Sequence, residues 1–409
     1  MKKFIGSAVA MLVVAVCAGA LIYRDRIERV YFATRLFSGA EQYETFPRLR
    51  EIFPTSTMPA SDTPAPFPTG DPLQLPETFS FRGQSVSVPN FLVETDTVAL
   101  LVVQDGKIRF EKYWLTGGSS THWLSMSVAK SFVSALVGIA VAEGTIDSIE
   151  EPITRYVPEL TGSAYEGVRI KDVLQMSSGA RWNEDYSDPN SDVNRFGRVF
   201  ALGGSANAFA ATLTREHPPG TFGRYNSADT QALGMLLVNA TGKPLTTYMT
   251  EKIWAPMGAE STGHWLLDDE GMELAFAGLN ATARDYAKLG EIYRRDGQFN
   301  GKQIVPEAWV GDSLTPDAAH LMPGEDNPMF FGLGYGYQWW IPESLEGEFS
   351  AIGVYNQFIF VNPTARTVIV KLSANSEYGL TNTEESYREH ETIEFFRAIT
   401  RDLTETVPK

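Results

Sequence analysis

The sequence predicts an α+β fold in which helices pack against an antiparallel sheet built from both ends of the globular part. Two β-rich runs lie near the start of that part, and two further strand-like runs lie near its end. Between them the chain mixes short helical patterns with long loops rich in glycine, proline and asparagine. We therefore expect the two ends of the globular part to complete one sheet together.

The first two strands are predicted at residues 97–103 and 108–114, as the two arms of a hairpin. The residues between them read QDGK, with Asp105-Gly106 at the centre. An Asp-Gly pair readily adopts the left-handed backbone that a tight hairpin turn needs.

A buried helix and three C-terminal elements complete the predicted fold. Residues 125–144, SMSVAKSFVSALVGIAVAEG, are apolar nearly all round, which predicts a helix buried on most of its faces. Residues 350–361 and 367–373 are predicted as two strands around an Asn-Pro-Thr turn. A last helix is predicted from Asn382, with Glu385 three residues on as a capping partner.

The N-terminus carries a long apolar segment. Residues 4–23 are apolar or small throughout and follow Lys2 and Lys3. Twenty helical residues span about 30 Å, the thickness of a bilayer core. Residues 1–23 therefore predict a retained single-pass anchor in the cell membrane, with the globular domain outside the cytoplasm. A cleaved signal peptide, which would leave a secreted or periplasmic protein, and a buried core helix are the alternatives.

The remaining chain divides into two predicted parts. Residues 24–89 hold a juxtamembrane helix, at about 24–46, and then a proline-rich arm. Eight of the chain's 23 prolines fall between residues 47 and 76, which predicts an extended linker or a wrapping arm. Residues 90–409 form the globular domain, with a mostly helical lobe at about 145–340.

Composition excludes several classes of function. The formal net charge of −16 repels phosphate backbones, so we expect no nucleic-acid partner. The one cysteine, Cys17, excludes an intrachain disulfide and a cysteine zinc site. The acidic loop at residues 185–192 lacks the ligand spacing of an EF-hand, and the five histidines are scattered. We expect no metal and no cofactor, and the oligomeric state stays open.

The candidate chemistry is a serine and a lysine three residues apart at the start of the buried helix. At that spacing Ser127 and Lys130 share one helix face. The apolar surroundings would desolvate the lysine and lower its pKa, and a neutral amine can take the proton of a serine hydroxyl. The alternative is a helix-capping serine beside a solvated lysine.

Three motifs carry a family resemblance. The stretch WLSMSVAKSFVSALVG, around Ser127 and Lys130, resembles the first motif of the serine β-lactamase and penicillin-binding-protein superfamily. Tyr225-Asn226-Ser227 resembles the Tyr-x-Asn motif of its class C branch, with serine in place of the last asparagine. Tyr-x-Ser is the form found in the 6-aminohexanoate (nylon) oligomer hydrolases, to which the sequence is most similar.

The same hydrolases place a tyrosine in the loop between the first two motifs, and Tyr186 resembles it. The third superfamily motif, Lys-Thr-Gly on a strand, is replaced here by residues 351–354, AIGV. The resemblance implies that Ile352, Gly353 and Val354 lie beside the substrate.

The resemblance implies a β-lactamase/transpeptidase-like fold and a serine hydrolase that acts on small linear amides or esters through an acyl-enzyme on Ser127. Lys130, alone or coupled with Tyr225, would be the general base. Backbone N–H groups of Ser127 and Val354 would form the oxyanion hole, and Tyr186 would bind the leaving amine or the carbonyl.

Two other functions remain open. β-Lactamase or DD-peptidase activity comes second, because without Lys-Thr-Gly there is no obvious cation for the substrate carboxylate. A membrane-tethered binding protein without turnover comes third. Among the site residues, Ser227 is as well explained as a helix cap, and Gly353 as a tight position in a strand.

Overall fold

The structure is a computed structural model that describes residues 2–36, 42–115, 117–324, 327 and 332–405. Its strands, in chain order, are β1 (Thr55–Met58), β2 (Thr78–Phe81), β3 (Gln84–Ser87), β4 (Thr97–Gln104), β5 (Lys107–Tyr113), β6 (Trp123–Leu124), β7 (Gly263–Leu266), β8 (Leu279–Ala281), β9 (Gln298–Phe299), β10 (Lys302–Gln303), β11 (Gly334–Tyr335), β12 (Trp340–Ile341), β13 (Phe349–Gly353), β14 (Gln357–Asn362) and β15 (Thr367–Ser373).

The α-helices of the described residues lie before, between and after these strands. They are α1 (Lys2–Ile22), α2 (Arg24–Leu36), α3 (Gln42–Thr45), α4 (Leu49–Ile52), α5 (Val88–Glu94), α6 (Ala129–Ala142), α7 (Ile170–Leu174), α8 (Asp192–Ala201), α9 (Ala206–Ala210), α10 (Ser227–Thr241), α11 (Leu245–Met249), α12 (Ala283–Arg294), α13 (Glu307–Ser313), α14 (Glu384–Tyr387) and α15 (Glu389–Glu405). A single 3₁₀ turn, Met126–Val128, leads into α6.

The main sheet has seven antiparallel strands in the order β11-β12-β13-β14-β15-β4-β5. The C-terminal strand β15 pairs along its length with β4 from the start of the globular part. This pairing confirms the predicted α+β fold with a sheet built from both ends of the chain. A second, four-stranded sheet has the order β1-β7-β8-β6.

Both faces of the main sheet are buried, which explains why its central strands are apolar at successive positions. On β4, Leu101 and Val103 belong to the larger core cluster that also contains the apolar residues of α6, α10 and α12. Leu100 and Val102 point to the other face and belong to a second cluster with Phe395 of α15. The sheet is therefore a layer between two groups of helices.

The first hairpin and the buried helix form as predicted. β4 and β5 pair around Asp105 and Gly106, whose φ angles of 50° and 73° are those of a tight hairpin turn. The residues of α6 from Ala129 to Ala140 are buried on every face. The helix ends just before Gly144, whose φ of 72° reverses the chain.

Two C-terminal predictions were wrong in detail. The predicted single strand 350–361 is two strands, because Tyr355 and Asn356 adopt positive φ angles of 66° and 62° and turn β13 back into β14. The predicted last helix is interrupted at Arg388, whose φ is 53°, so a short α14 precedes the long α15.

The proline-rich segment wraps around the globular part as an arm. Its β1 pairs with β7, and Ser61 N–H donates to Ala259 O at 3.0 Å. Further on, Gly70 N–H donates to Ile108 O in β5 at 2.8 Å, and Ile108 N–H donates back to Pro68 O at 2.9 Å. The arm thus connects the small sheet with one edge of the main sheet.

The apolar N-terminal segment forms the helix α1. No helix within the described ranges combines the length and the apolar character that a bilayer crossing requires, so the predicted single-pass anchor is not supported. The predicted juxtamembrane helix 24–46 forms as α2, residues 37–41 lie outside the described residues, and α3 follows. Arg29 of α2 lies 2.6 Å from a carboxylate oxygen of Asp269.

Candidate active site

Ser127 lies in the 3₁₀ turn that opens α6, at the edge of a pocket. The preceding residue, Met126, has a φ of 46°, a strained value for a residue with a side chain and one that is enriched at active sites. Ser127 is 7% exposed. The end of β13 lies directly against this turn, since a Cβ on Gly353 would come within 3.0 Å of the Ser127 nitrogen.

Lys130 lies one turn further along, beneath Ser127. Its Nζ is 3.0 Å from Ser127 Oγ, 3.1 Å from Ser227 Oγ and 3.0 Å from the carbonyl oxygen of Phe276. The side chain is 1% exposed, and this burial lowers the pKa of Lys130 to about 7, although the charges of Glu184 and Asp229 act in the opposite direction. A substantial fraction of the amine is therefore neutral at physiological pH.

Tyr225 closes the other side of Ser127. Its ring stacks on Trp340 with the centroids 5.0 Å apart, and Lys130 Nζ lies 5.1 Å from the ring centroid. Burial raises the pKa of Tyr225 well above its usual range, an effect that a hydrogen bond with Ser127 opposes. The phenol is therefore protonated.

Ser227 links Lys130 to a carboxylate. Asn226 is the N-cap of α10, because its side chain accepts from the N–H of Ala228 at 2.9 Å, so the alternative of Ser227 as the cap is wrong. Ser227 is the first residue of the helix, and its Oγ donates to Glu184 Oε1 at 2.6 Å.

Sequence reasoning missed Glu184. It lies in the loop before Tyr186, whose hydroxyl donates to Glu184 Oε1 at 2.7 Å. The indole N–H of Trp182 also donates to this carboxylate. The available signal was an acid two residues before the predicted substrate tyrosine.

The pocket has a volume of about 270 Å³ and is lined by six of the predicted site residues. These are Ser127, Tyr186, Tyr225, Ile352, Gly353 and Val354. The other two, Lys130 and Ser227, lie behind the lining and reach it through hydrogen bonds. The structure therefore brings all eight together, from four separate parts of the chain.

A second carboxylate in the pocket was also missed. Glu389, the first residue of α15, lines the pocket and accepts from the Tyr378 hydroxyl at 2.7 Å. Burial raises the pKa of Glu389 to about 7. Glu184 and Asp185 line the same pocket, so its charge is predominantly negative. Nothing in the linear sequence connects Glu389 with residues 184–186, which lie about 200 positions earlier.

Two comparisons bear on the family of this chain. The sequence profile of the β-lactamase family matches residues 92–392. The 6-aminohexanoate-dimer hydrolase of Paenarthrobacter ureafaciens is 32% identical over 337 residues, which cover 80% of this chain and 84% of that enzyme.

The chain belongs to the β-lactamase family.

Two further proteins are similar to this chain. A solved structure from Bacillus anthracis, provisionally assigned as a 6-aminohexanoate-dimer hydrolase, superposes with a TM-score of 0.80 at 24% identity and covers 91% of this chain and 97% of its own. An Escherichia coli K12 protein, provisionally assigned as a D-alanyl-D-alanine carboxypeptidase, is 24% identical over 46% of this chain and 48% of its own length. The predicted β-lactamase/transpeptidase-like fold is confirmed, and this member of the family is a serine hydrolase.

Proposed function

We propose that this β-lactamase-family enzyme hydrolyses small linear amides or esters through an acyl-enzyme on Ser127. The observation that carries the proposal is the 3.0 Å separation between Ser127 Oγ and Lys130 Nζ beside a pocket. A serine hydroxyl is a weak nucleophile at neutral pH, and a neighbouring neutral amine activates it.

In the first step Ser127 Oγ attacks the acyl carbon, and its proton passes to Lys130 Nζ. The directions of the two pKa shifts favour Lys130 as the base, because burial makes its neutral form available but keeps Tyr225 protonated. The Tyr225 hydroxyl can then give its proton to the leaving group as that group departs, and the Lys130 ammonium returns a proton to the Tyr225 phenolate.

The negative oxygen of the tetrahedral intermediate would accept from the backbone N–H groups of Ser127 and Val354. Support for this pairing comes from Gly353, which brings the end of β13 against the Ser127 backbone. Tyr186, which also lines the pocket, would bind the leaving amine or the carbonyl. A water molecule then attacks the ester and passes a proton to the neutral Lys130. Lys130 returns that proton to Ser127 Oγ as the ester bond breaks and the acid product leaves.

The direct test is covalent labelling of the full chain with a fluorophosphonate, followed by intact mass and peptide mapping. A single adduct on Ser127, lost in Lys130→Ala, supports an activated serine. Hydrolysis of a series of p-nitrophenyl esters and p-nitroanilides of linear acids then defines the substrate. Folded protein with no adduct, and turnover equal to that of Ser127→Ala, would instead favour a binding protein.

β-Lactamase or DD-peptidase activity remains the second candidate, and the similarity to the E. coli carboxypeptidase homologue is what favours it. The pocket argues against it, because such substrates carry a carboxylate and the lining carries Glu184, Asp185 and Glu389. Arg224 also lines the pocket, but its guanidinium is paired with Glu216. Rapid hydrolysis of penicillin, or a long-lived penicillin adduct on Ser127, would reverse the order.

We also infer that the enzyme acts outside the cytoplasm after export. Lys2 and Lys3 precede the apolar residues 4–23, a pattern shared with export signals. Expression of the full chain in a bacterial host, followed by fractionation and N-terminal sequencing, tests this. Recovery in the periplasm or medium with a new N-terminus supports export, and an intact N-terminus in the cytoplasm contradicts it.

A further inference from the structure

Glu184 lies at the centre of a hydrogen-bonded group behind the proposed nucleophile. Its Oε1 accepts from Ser227 Oγ at 2.6 Å and from the Tyr186 hydroxyl at 2.7 Å. Its Oε2 accepts from the backbone N–H of Ser227 at 3.2 Å and from the indole of Trp182. All four donors are neutral groups, so none of them cancels the negative charge of the carboxylate.

The hydrogen bonds of this group run in one direction, from Lys130 through Ser227 to Glu184. The Ser227 hydroxyl has one proton, and that proton is donated to Glu184. The contact between Ser227 Oγ and Lys130 Nζ at 3.1 Å is therefore one in which the lysine donates. A single hydroxyl group thus separates the carboxylate from the amine, and Glu184 also sits at the positive end of the fifteen-residue helix α10.

We propose that Glu184 is the counter-ion of the Lys130 ammonium that forms during acylation, acting through Ser227, and that it also holds the Tyr186 hydroxyl in place for the leaving group. The inference rests on the proposed function, because it assigns a role within the same reaction. Glu184 is a positioning residue: it touches neither reacting atom, and it acts through Ser227 and Tyr186.

The need for a counter-ion follows from the burial of Lys130. Taking the proton from Ser127 places a positive charge on a side chain that is 1% exposed, where water cannot stabilise it. Two carboxylates raise the pKa of Lys130, those of Glu184 and Asp229. The hydrogen bonds of Asp229 go elsewhere, since its Oδ1 accepts from Tyr165, Ser178 and Asn226. Glu184 is thus the carboxylate that is linked to the amine through the single hydroxyl of Ser227.

The link to Tyr186 gives the same carboxylate a second effect. Tyr186 lines the same pocket as Ser127, and the proposed function places the leaving group beside it. An amine must be protonated before it can leave, whereas a p-nitrophenolate leaves unaided. Loss of Glu184 should therefore slow anilide or amide hydrolysis more than hydrolysis of an activated ester with the same acyl group.

The test is a pH profile of kcat/KM for a matched p-nitrophenyl ester and p-nitroanilide, with the full-length wild type, Glu184→Gln and Ser227→Ala. For Glu184→Gln we expect the plateau value of kcat/KM to fall about 10- to 100-fold, which is less than the full effect of losing a general base. The midpoint of the acid limb should move to lower pH, because an ammonium without its counter-ion loses its proton more easily. The anilide rate should fall further than the ester rate.

Asp188→Asn is the matched control. It removes a carboxylate charge from the same loop, and its side chain accepts from the N–H of Asn190 at 2.8 Å and does not line the pocket. It should leave the profile within about twofold of wild type. A purely structural role for Glu184 would lower the plateau without moving the midpoint or changing the ester-to-anilide ratio, and that result would overturn the inference.

Ser227→Ala keeps the test decisive if Glu184→Gln does not fold. It removes the bridging hydroxyl, leaves the carboxylate, and should move the midpoint in the same direction. An unchanged midpoint in folded Ser227→Ala would overturn the inference. Failure of the proposed function looks different, because the wild type itself would then show neither turnover nor a Ser127 adduct.

Discussion

Lys130 Nζ lies 3.0 Å from Ser127 Oγ, and the same burial that lowers the pKa of the amine removes it almost completely from water. The pair therefore combines two properties that conflict in an ordinary protein core. A buried amine is costly for the folded state, and here it is placed where its neutral form can accept a proton. Predictions about activity and about stability follow from this one contact.

Ser127→Ala should abolish turnover while leaving the fold intact. Removing the attacking oxygen is expected to lower kcat by on the order of 10⁴-fold or more, measured with an activated ester. Ser134→Ala, on the same helix, is the control, because the buried Ser134 Oγ has no hydrogen-bond partner among the described residues. Comparable losses in both variants would point to damage to α6.

The rate should depend on pH through Lys130. Since its pKa is about 7 and the neutral form is the active one, kcat/KM should rise with pH and reach a plateau above about pH 8. Glu389 has a pKa in the same range, so Glu389→Gln is the discriminating variant. If the rise of kcat/KM keeps its midpoint near pH 7 in Glu389→Gln, the rise reports the deprotonation of Lys130. If the rise disappears in that variant, it reports Glu389 instead.

Lys130→Met should be inactive and yet more stable than wild type. The folded state lowers the pKa from 10.5 to about 7, so between these pH values the unfolded chain binds more protons and wild-type stability rises with pH. Near pH 7 the apolar replacement should raise the free energy of unfolding by roughly 1–3 kcal/mol. Urea unfolding at pH 7 and pH 10 measures both effects, and a less stable Lys130→Met would contradict the assigned burial cost.

Tyr225→Phe separates the hydroxyl of this residue from its ring. The ring should still stack on Trp340, so the melting temperature should stay close to that of wild type. We expect kcat/KM to fall about 10²- to 10³-fold through loss of the donor beside Ser127. Tyr113→Phe, in strand β5, is the control. Full activity in Tyr225→Phe would remove this hydroxyl from the mechanism.

Gly353→Ala tests the close contact between β13 and the nucleophile. The added Cβ would lie 2.7 Å from Ser125 O and 3.0 Å from Ser127 N, both backbone atoms that cannot turn aside. Displacement of this turn should lower kcat about 100-fold or more and destabilise the fold by roughly 1–3 kcal/mol. Gly311→Ala, in α13, meets open space and should cost nothing.

Local sequence signals predicted the parts of the fold that depend on local chemistry. The Asp105-Gly106 turn and the end of α6 at Gly144 both need positive φ angles that those residues supply. The reversal at Tyr355-Asn356 was missed because mostly apolar residues lie on both sides of it and no Asn-Gly or Asp-Gly pair marks the turn. Side-chain contacts hold that turn, among them the bond that the Asn356 side chain donates to Tyr387 O at 2.7 Å.

The site residues also fall into two groups, those predicted from short motifs and those recognised only in the folded structure. Ser127, Lys130 and Tyr225 were found because each lies in a short motif with a fixed spacing. Glu184 and Glu389 carry no motif of their own, and they become part of the site only because the loop before Tyr186 and the start of α15 fold over the same pocket. Their contribution is electrostatic and depends on distances in the folded structure, which no short sequence motif reveals.

The proline-rich arm covers an outer strand of the main sheet and so protects it from pairing with another molecule of this protein. β5 is an outer strand of the main sheet, and the arm uses the backbone of Pro68, Gly70 and Leu73 to bond Ile108 and Arg109 along that strand. Proline offers no N–H of its own, so a covering segment rich in proline caps the strand without presenting a new row of donors. Removal of residues 42–76 would uncover β5 as a template on which a strand of another molecule could add.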